Sequence, residues 1–240
     1  MAGNGKSSVA ILKEFPKRDH LVQKLVERMA NILKEGVRGR GGASLALSGG
    51  KTPKDFFEAL SQEELPWSST LITLVDERWV EPTSKDSNER LVREFLLKNR
   101  AKSARFLGLK APFERARDAE GYVSALIRDN VPFPFDGVVL GMGEDGHTAS
   151  LFPGAARLKE AVDPEYPLHC IAIQPLDAPH ERMTLALNII LNSREIFIHI
   201  QGERKREVLE RAMAQGPMEE MPIRYVLHQD KVPVEIYWAP

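Results

Sequence analysis

Short, mostly apolar runs alternate along this chain with segments whose apolar residues recur at helical spacing, and that alternation leaves few folds open. Leu21, Val22, Leu25, Val26, Met29, Ile32 and Leu33 mark a helix over residues 16–33. Gly36 and the stretch Gly39-Arg40-Gly41-Gly42 are expected to end it. Residues 43–47 read as a buried strand and 53–60 as a helix. Residues 71–75 follow as a strand, 88–98 and 117–128 as helices, and 137–140, 170–173 and 196–200 as strands. A helix over 203–213 and a strand over 234–238 close the chain. Residues 9–15 have the pattern of an edge strand, although 1–15 could be loosely ordered. Strands separated by helices imply βαβ crossovers and parallel pairing. With no repeat and no long polar linker, the expectation is one α/β domain over residues 1–240. Its sheet should be mostly parallel, Rossmann-like and flanked by helices.

Charge and composition remove several function classes. The 240 residues carry 33 basic and 34 acidic side chains, a net charge of −1, so no global field draws the chain to nucleic acid or to a membrane surface. No apolar run approaches the roughly 20 residues that span a bilayer. The first residues lack the apolar core of a secretory signal, and the single cysteine, Cys170, has no partner for an internal disulfide. The expected location is the cytoplasm. The six histidines show no H-E-x-x-H spacing, so no metal site is expected, and His199 in the run IFIHI reads as a strand residue rather than a ligand.

In open parallel sheets, ligands collect at the carboxyl ends of the strands. Three segments there hold reactive residue types. The first is SGGKTP, residues 48–53. Gly49 and Gly50 permit a tight turn and a close backbone approach, Thr52 can cap the following helix, and Pro53 suits its first position. Ser48, Gly49, Gly50, Lys51 and Thr52 therefore form a candidate anion site at a helix N-terminus. A nucleotide P-loop needs a further glycine five positions before Gly50, where Leu45 stands. The second segment is VDERWVEP, residues 75–82. Asp76 can orient or deprotonate a hydroxyl, and Arg78 can hold phosphate bidentately. A solvated Glu–Arg pair is the plainer reading of Glu77 and Arg78. Ser87 and Asn88 could cap the next helix, and Trp79 could stand near the pocket mouth.

The third segment is GMGEDGHTASLFPG, residues 141–154. Gly141, Gly143 and Gly146 match G-x-G-x-x-G. Glu144 and Asp145, however, would set two negative charges beside a pyrophosphate, and Pro153 leaves room for only a very short helix. The better reading is a glycine loop that holds Asp145 and His147 in a crevice. An imidazole titrates near neutrality, so His147 can act as a general base towards water while Asp145 orients it.

Together SGGKTP, VDERWV, GMGEDGHTASLFPG, ERMTLALNIILNS and GERKREVL resemble, in this order, the 6-phosphogluconolactonases, over residues 16 to 238. That family is similar to the glucosamine-6-phosphate isomerases/deaminases. The resemblance implies a fold of the glucosamine-6-phosphate isomerase/ribose-5-phosphate isomerase/CoA-transferase type. It implies hydrolysis of 6-phospho-D-glucono-1,5-lactone to 6-phospho-D-gluconate, the second step of the oxidative pentose phosphate pathway, without a cofactor. The only partner implied is the small sugar phosphate lactone, bound by a monomer or weak homodimer. Carried over, His147 is the base, Asp145 its support and Asp76 an assisting group. The phosphate rests on residues 48–52, with Arg78 and Lys205 as basic contacts. Asn88, Gly143 and Arg182 join the substrate-binding set, Arg182 either lining the pocket or pairing internally. Lys51 stands where serine or arginine is common in the family. Isomerases/deaminases carry a glutamate five positions after the histidine, and this chain has Phe152 there. An amino-sugar phosphate isomerase/deaminase and a non-catalytic sugar-phosphate sensor remain the alternatives.

Overall fold

The apolar runs are buried on both faces, as strands of a helix-covered parallel sheet must be. The computed structural model describes residues 10–240. Strand β1 (Ala10–Glu14) and helix α1 (Arg18–Arg40) lead to β2 (Ala43–Leu47), α2 (Lys54–Ser61), β3 (Thr70–Leu74) and the short β4 (Asp76–Arg78). Helix α3 (Asn88–Phe95), β5 (Arg105–Leu107), α4 (Ala116–Asn130) and β6 (Gly137–Leu140) follow. Next come α5 (Leu158–Ala161), β7 (Cys170–Ile173), β8 (Arg182–Leu185) and α6 (Leu187–Ile190). Strand β9 (Ile196–Gln201), α7 (Glu203–Met213), α8 (Arg224–Leu227) and β10 (Val234–Ala239) close the chain.

Seven strands form one parallel sheet in the order β1-β10-β9-β6-β2-β3-β5. From β2 the chain moves to β3 on one side and later returns to β6 on the other. The carboxyl ends of β2 and β6 therefore flank a topological switch point, where the loops diverge and leave a crevice. One hydrophobic core runs through the molecule, with Leu25, Met29 and Leu33 of α1, Phe56 and Phe57 of α2 and Phe197 of β9 fully buried. Among the described residues, no helix is long and apolar enough to cross a membrane.

Several sequence expectations need correction. Strand β7 does not join the parallel sheet. It pairs antiparallel with β8, which pairs antiparallel with β4, in a second three-stranded sheet. No helix lies between β7 and β8, so no crossover is available to make them parallel. The segment Asp76–Arg78, read as a loop, is strand β4 of this sheet. Helix α1 continues past Gly36. A Cβ there would come within 2.9 Å of the Asp136 carboxylate and 3.0 Å of the Ala43 Cβ, so this glycine serves close packing rather than termination. The helix ends at Gly41, in the left-handed region at φ 79°, whose N–H donates to the Val37 carbonyl at 2.8 Å. Thr52 does not cap α2. Pro53 holds the cap position with no side-chain hydrogen bond. Ser87 does cap α3, accepting from the Arg90 N–H at 3.1 Å, and that helix stops at Phe95 rather than 98. The edge strand expected from residue 9 begins at Ala10; residues 1–9, including Val9, lie outside the described residues.

Candidate active site

The crevice is a cleft of about 250 Å³ whose walls come from the loops after β2 and β6, from β4 and β8, and from the end of β9 with the start of α7. Ser48, Gly49, Gly50, Lys51, Thr52, Asp76, Arg78, Asn88, Gly143, His147, Arg182 and Lys205 all line it. Of the catalytic and substrate-binding candidates named from sequence, Asp145 alone stands outside the lining and reaches the cleft through His147. Trp79 is not part of the wall; its indole N–H donates to the Phe113 carbonyl at 3.0 Å.

Ser48 ties the two flanking loops together. Its hydroxyl donates to the Val139 carbonyl at 2.9 Å and accepts from the Gly141 N–H at 3.3 Å. The hydroxyl proton is therefore committed to the scaffold. Gly49 has no room for a side chain, since a Cβ would fall 2.0 Å from Asn88 Oδ1. Gly50 lies at φ 94°, a conformation that favours glycine. The turn thus brings backbone N–H groups to the start of α2, where the first amides of a helix lack intrahelical acceptors.

The loop after β6 wraps around the imidazole of His147. The Gly143 N–H donates to the His147 carbonyl at 2.9 Å, and a Cβ on Gly143 would lie 2.1 Å from Nδ1. Asp145 Oδ1 accepts from the His147 backbone N–H at 3.0 Å and lies 2.6 Å from Nδ1. Burial alone would raise the Asp145 carboxyl, but its hydrogen bond and attraction to His147 hold it below the usual carboxylate range. An ionised Asp145 only accepts, so the Nδ1 proton points at it and Nε2 carries the free lone pair. The other side of the imidazole rests on Phe152, and the Arg182 guanidinium sits 5.3 Å from the centroid of the same phenyl ring.

Asp76 is almost fully buried as the first residue of β4, just beyond the end of β3. Its Oδ2 accepts from the Ser150 hydroxyl at 2.7 Å, and its backbone carbonyl accepts from the Asn88 side-chain amide at 3.0 Å. Ser150 is itself buried, and its backbone N–H donates to the Thr184 hydroxyl oxygen at 3.3 Å. Sequence reasoning overlooked Ser150 because a serine within TASLFP has no distinctive spacing; only the fold carries it to Asp76. Glu77, read as half of a solvated pair, is fully buried. It accepts from the backbone N–H groups of Arg78 and Asn88 at 2.8 Å and of Glu89 at 2.9 Å, anchoring the N-terminus of α3. Burial pushes its carboxyl up to about 7, against the pull of those three amides.

Arg78 and Arg182 are direct cross-strand partners in the small sheet, a like-charge pairing that an anion between them would relieve. Arg182 is buried, and among the described residues its guanidinium donates only to the Pro179 carbonyl, at 3.2 and 3.3 Å. Burial, followed by the repulsion of Arg78, lowers its pKa. Of the two roles left open for Arg182, the structure places it on the pocket wall. Lys205, in the first turn of α7, donates from Nζ to the Met142 carbonyl, and burial lowers its pKa despite Glu144 and Asp145. Lys51, Arg78, Arg182 and Lys205 face the cleft with Asp76 as the one carboxylate in its lining, a balance suited to an anionic ligand. Among the described residues, no cluster of three or more His, Cys, Asp or Glu side chains could hold a metal.

Comparison with known proteins places this geometry in context. The family described as glucosamine-6-phosphate isomerases/6-phosphogluconolactonase matches residues 16–238. A 6-phosphogluconolactonase of Rhizobium meliloti (strain 1021) is 44% identical over 226 residues, covering 94% of this chain and 97% of that protein. The crystal structure of a 6-phosphogluconolactonase from Shewanella baltica OS155 superposes with a TM-score of 0.94 at 46% identity, over 96% of this chain and 98% of that one. A monomeric glucosamine-6-phosphate deaminase shares the fold, with a TM-score of 0.76 at 19% identity over 94% of this chain and 96% of that one.

Proposed function

The chain belongs to the glucosamine-6-phosphate isomerase/6-phosphogluconolactonase family, and from that premise we propose that it hydrolyses 6-phospho-D-glucono-1,5-lactone to 6-phospho-D-gluconate with His147 as general base. The observation that carries the reading is the Asp145–His147 pair, 2.6 Å apart, with Nε2 free beside a cleft lined by four cations. The phosphate lies against residues 48–52 at the start of α2, with Arg78 and Lys205 as basic contacts and Arg182 on the facing wall. Holding the phosphate there fixes the lactone carbonyl relative to Nε2.

A lactone is an activated ester, so the step needs a positioned water, a base and charge stabilisation. His147 Nε2 takes a proton from water as the water oxygen attacks C1. Asp145 steadies the imidazolium that forms. The cations lining the cleft face the charge that develops on the carbonyl oxygen. When the C1–ring-oxygen bond breaks, the imidazolium returns its proton to the leaving oxygen, giving the open-chain hydroxyl and a carboxylic acid that loses its proton to solvent. Asp76, fixed by Ser150, accepts from a sugar hydroxyl or assists at the ring oxygen.

The isomerase/deaminase alternative needs a second acid against the histidine, and Phe152 fills that place with a phenyl ring. The assay follows lactone freshly generated in solution above its spontaneous hydrolysis, with glucosamine 6-phosphate run in parallel. The expected result is turnover of the lactone alone, lost on His147→Ala while the fold is retained. Near-normal lactonase activity in that variant would overturn the assignment of the base.

A further inference from the structure

The strand β9 buries a polar side chain that the proposed reaction does not use. Ile196, Phe197, Ile198 and Ile200 are apolar and buried, and His199, 3% exposed, interrupts them. Neither of its ring nitrogens has a hydrogen-bond partner among the described residues. Buried polar groups in folded proteins are nearly always paired, and a side chain kept only for packing would be apolar at lower cost.

The position of the ring gives this a direction. Its aromatic contact is edge-on to Phe56, with centroids 6.1 Å apart and planes at 87°. Phe56 is the third residue of α2, so the imidazole packs against the first turn of the helix that follows the Gly49-Gly50 loop. His199 also forms part of the cleft floor, with Gln201 beyond it and Lys205 in the turn after that. Two independent features therefore converge on one corner: a helix N-terminus behind a glycine turn, and an unpartnered, buried imidazole.

We propose that His199 is a further ligand-binding residue of this cleft, a neutral hydrogen-bond donor to the phosphate monoester held at the start of α2, directly or across one bound water. The inference rests on the phosphate reading of the cleft and extends it by one group. Burial holds the imidazole well below its usual range, so the ring enters the site uncharged. One nitrogen donates and the other accepts. The donor serves a phosphate oxygen, and the acceptor is free for the N–H or O–H that accompanies it. A neutral donor adds no charge to a site that already holds four cations, and it binds without a proton being taken up.

The test compares wild type with His199→Phe, which removes both nitrogens, and His199→Gln, which keeps a donor and an acceptor. Binding of inorganic phosphate and of 6-phosphogluconate is measured by titration calorimetry, alongside KM and kcat for the lactone and the melting temperature. With one hydrogen bond to a charged group lost, His199→Phe should bind inorganic phosphate about tenfold more weakly and show a similar rise in KM, with a smaller change in kcat. Its melting temperature should be unchanged or higher, because an unpaired buried group has been removed. His199→Gln should recover most of the affinity. Phosphate affinity within twofold of wild type in folded His199→Phe overturns the proposal. If that ring does not fit, folded His199→Leu carries the same comparison with the same criterion. Phosphate binding needs no turnover, so a wild-type chain that binds phosphate but does not hydrolyse the lactone would defeat the proposed reaction while leaving this test intact.

Discussion

The imidazole of His147 and the phenyl ring of Phe152 are stacked, with centroids 4.3 Å apart and planes inclined by 29°. The pair fixes the histidine from the side that Asp145 does not reach. Asp145 sets the tautomer at Nδ1, and the phenyl face limits how far the ring can swing, so Nε2 keeps one direction. An apolar face also gives the imidazolium no second carboxylate with which to share its proton. The arrangement suits a base that takes a proton from water and returns it to a leaving oxygen.

Phe152→Leu tests that role. Leucine keeps the site apolar and costs about 1 kcal/mol of stability as a near-conservative core change. It removes the flat surface behind His147, so kcat should fall on the order of tenfold with KM nearly unchanged. Steady-state kinetics beside a urea denaturation curve separate the two effects. A kcat equal to wild type would show that the stack does not position the base.

Much of this site was legible before any coordinates. Glycine turns at Gly49 and Gly143 leave a signature because no other residue fits beside Asn88 and His147. Strands at Ala43–Leu47 and Ile196–Gln201 announce themselves by short, mostly apolar runs. What stayed hidden depends on long-range pairing. The short β4 and β8 have no run long enough to mark them, and only their antiparallel register sets Arg78 opposite Arg182. Glu77 looked solvated because its partners, the amides at the start of α3, lie eleven and twelve residues on. Ser150 and His199 are ordinary letters in sequence; distance to Asp76 and the lack of a partner give them meaning only in the fold.

Asp145→Asn should leave the loop folded, since an amide oxygen can still accept from the His147 backbone. It removes the charge that, in the proposed reaction, stabilises the imidazolium. We expect kcat/KM to fall about a hundredfold, within the range for disabling a general base. A kcat/KM within threefold of wild type, measured by steady-state kinetics, would rule out electrostatic support by Asp145.

Glu77→Gln replaces one of the two oxygens that receive backbone amides. Its NH2 group would face the N–H of Glu89 or of Asn88, donor against donor. The expected loss is roughly 1–3 kcal/mol, the cost of a buried unsatisfied donor. Asn88 begins α3 and lines the cleft, so KM should rise with the loss of stability. Chemical denaturation checks the first effect, and a variant as stable as wild type would show that the α3 amides are satisfied some other way.

His199 gives the fold a dependence on acid that can be isolated. Burial lowers its imidazole from 6.5 to about 4, so between those values the unfolded chain takes up a proton that the folded chain refuses. The sign follows directly: the stability from keeping this ring neutral is complete above about pH 6.5 and drains away as pH falls towards 4. A shift of that size corresponds to roughly 3 kcal/mol at the acid end. Other groups also titrate over this range, among them Glu77, whose raised carboxyl acts in the opposite sense. Comparing wild type with His199→Phe cancels what they share. The variant's stability advantage should be small at pH 7.5 and should widen steadily through pH 5.5 to pH 4.5, read from urea midpoints at each pH. Midpoints that fall in parallel for the two proteins would mean that the ring is protonated in the folded chain and has found a partner there.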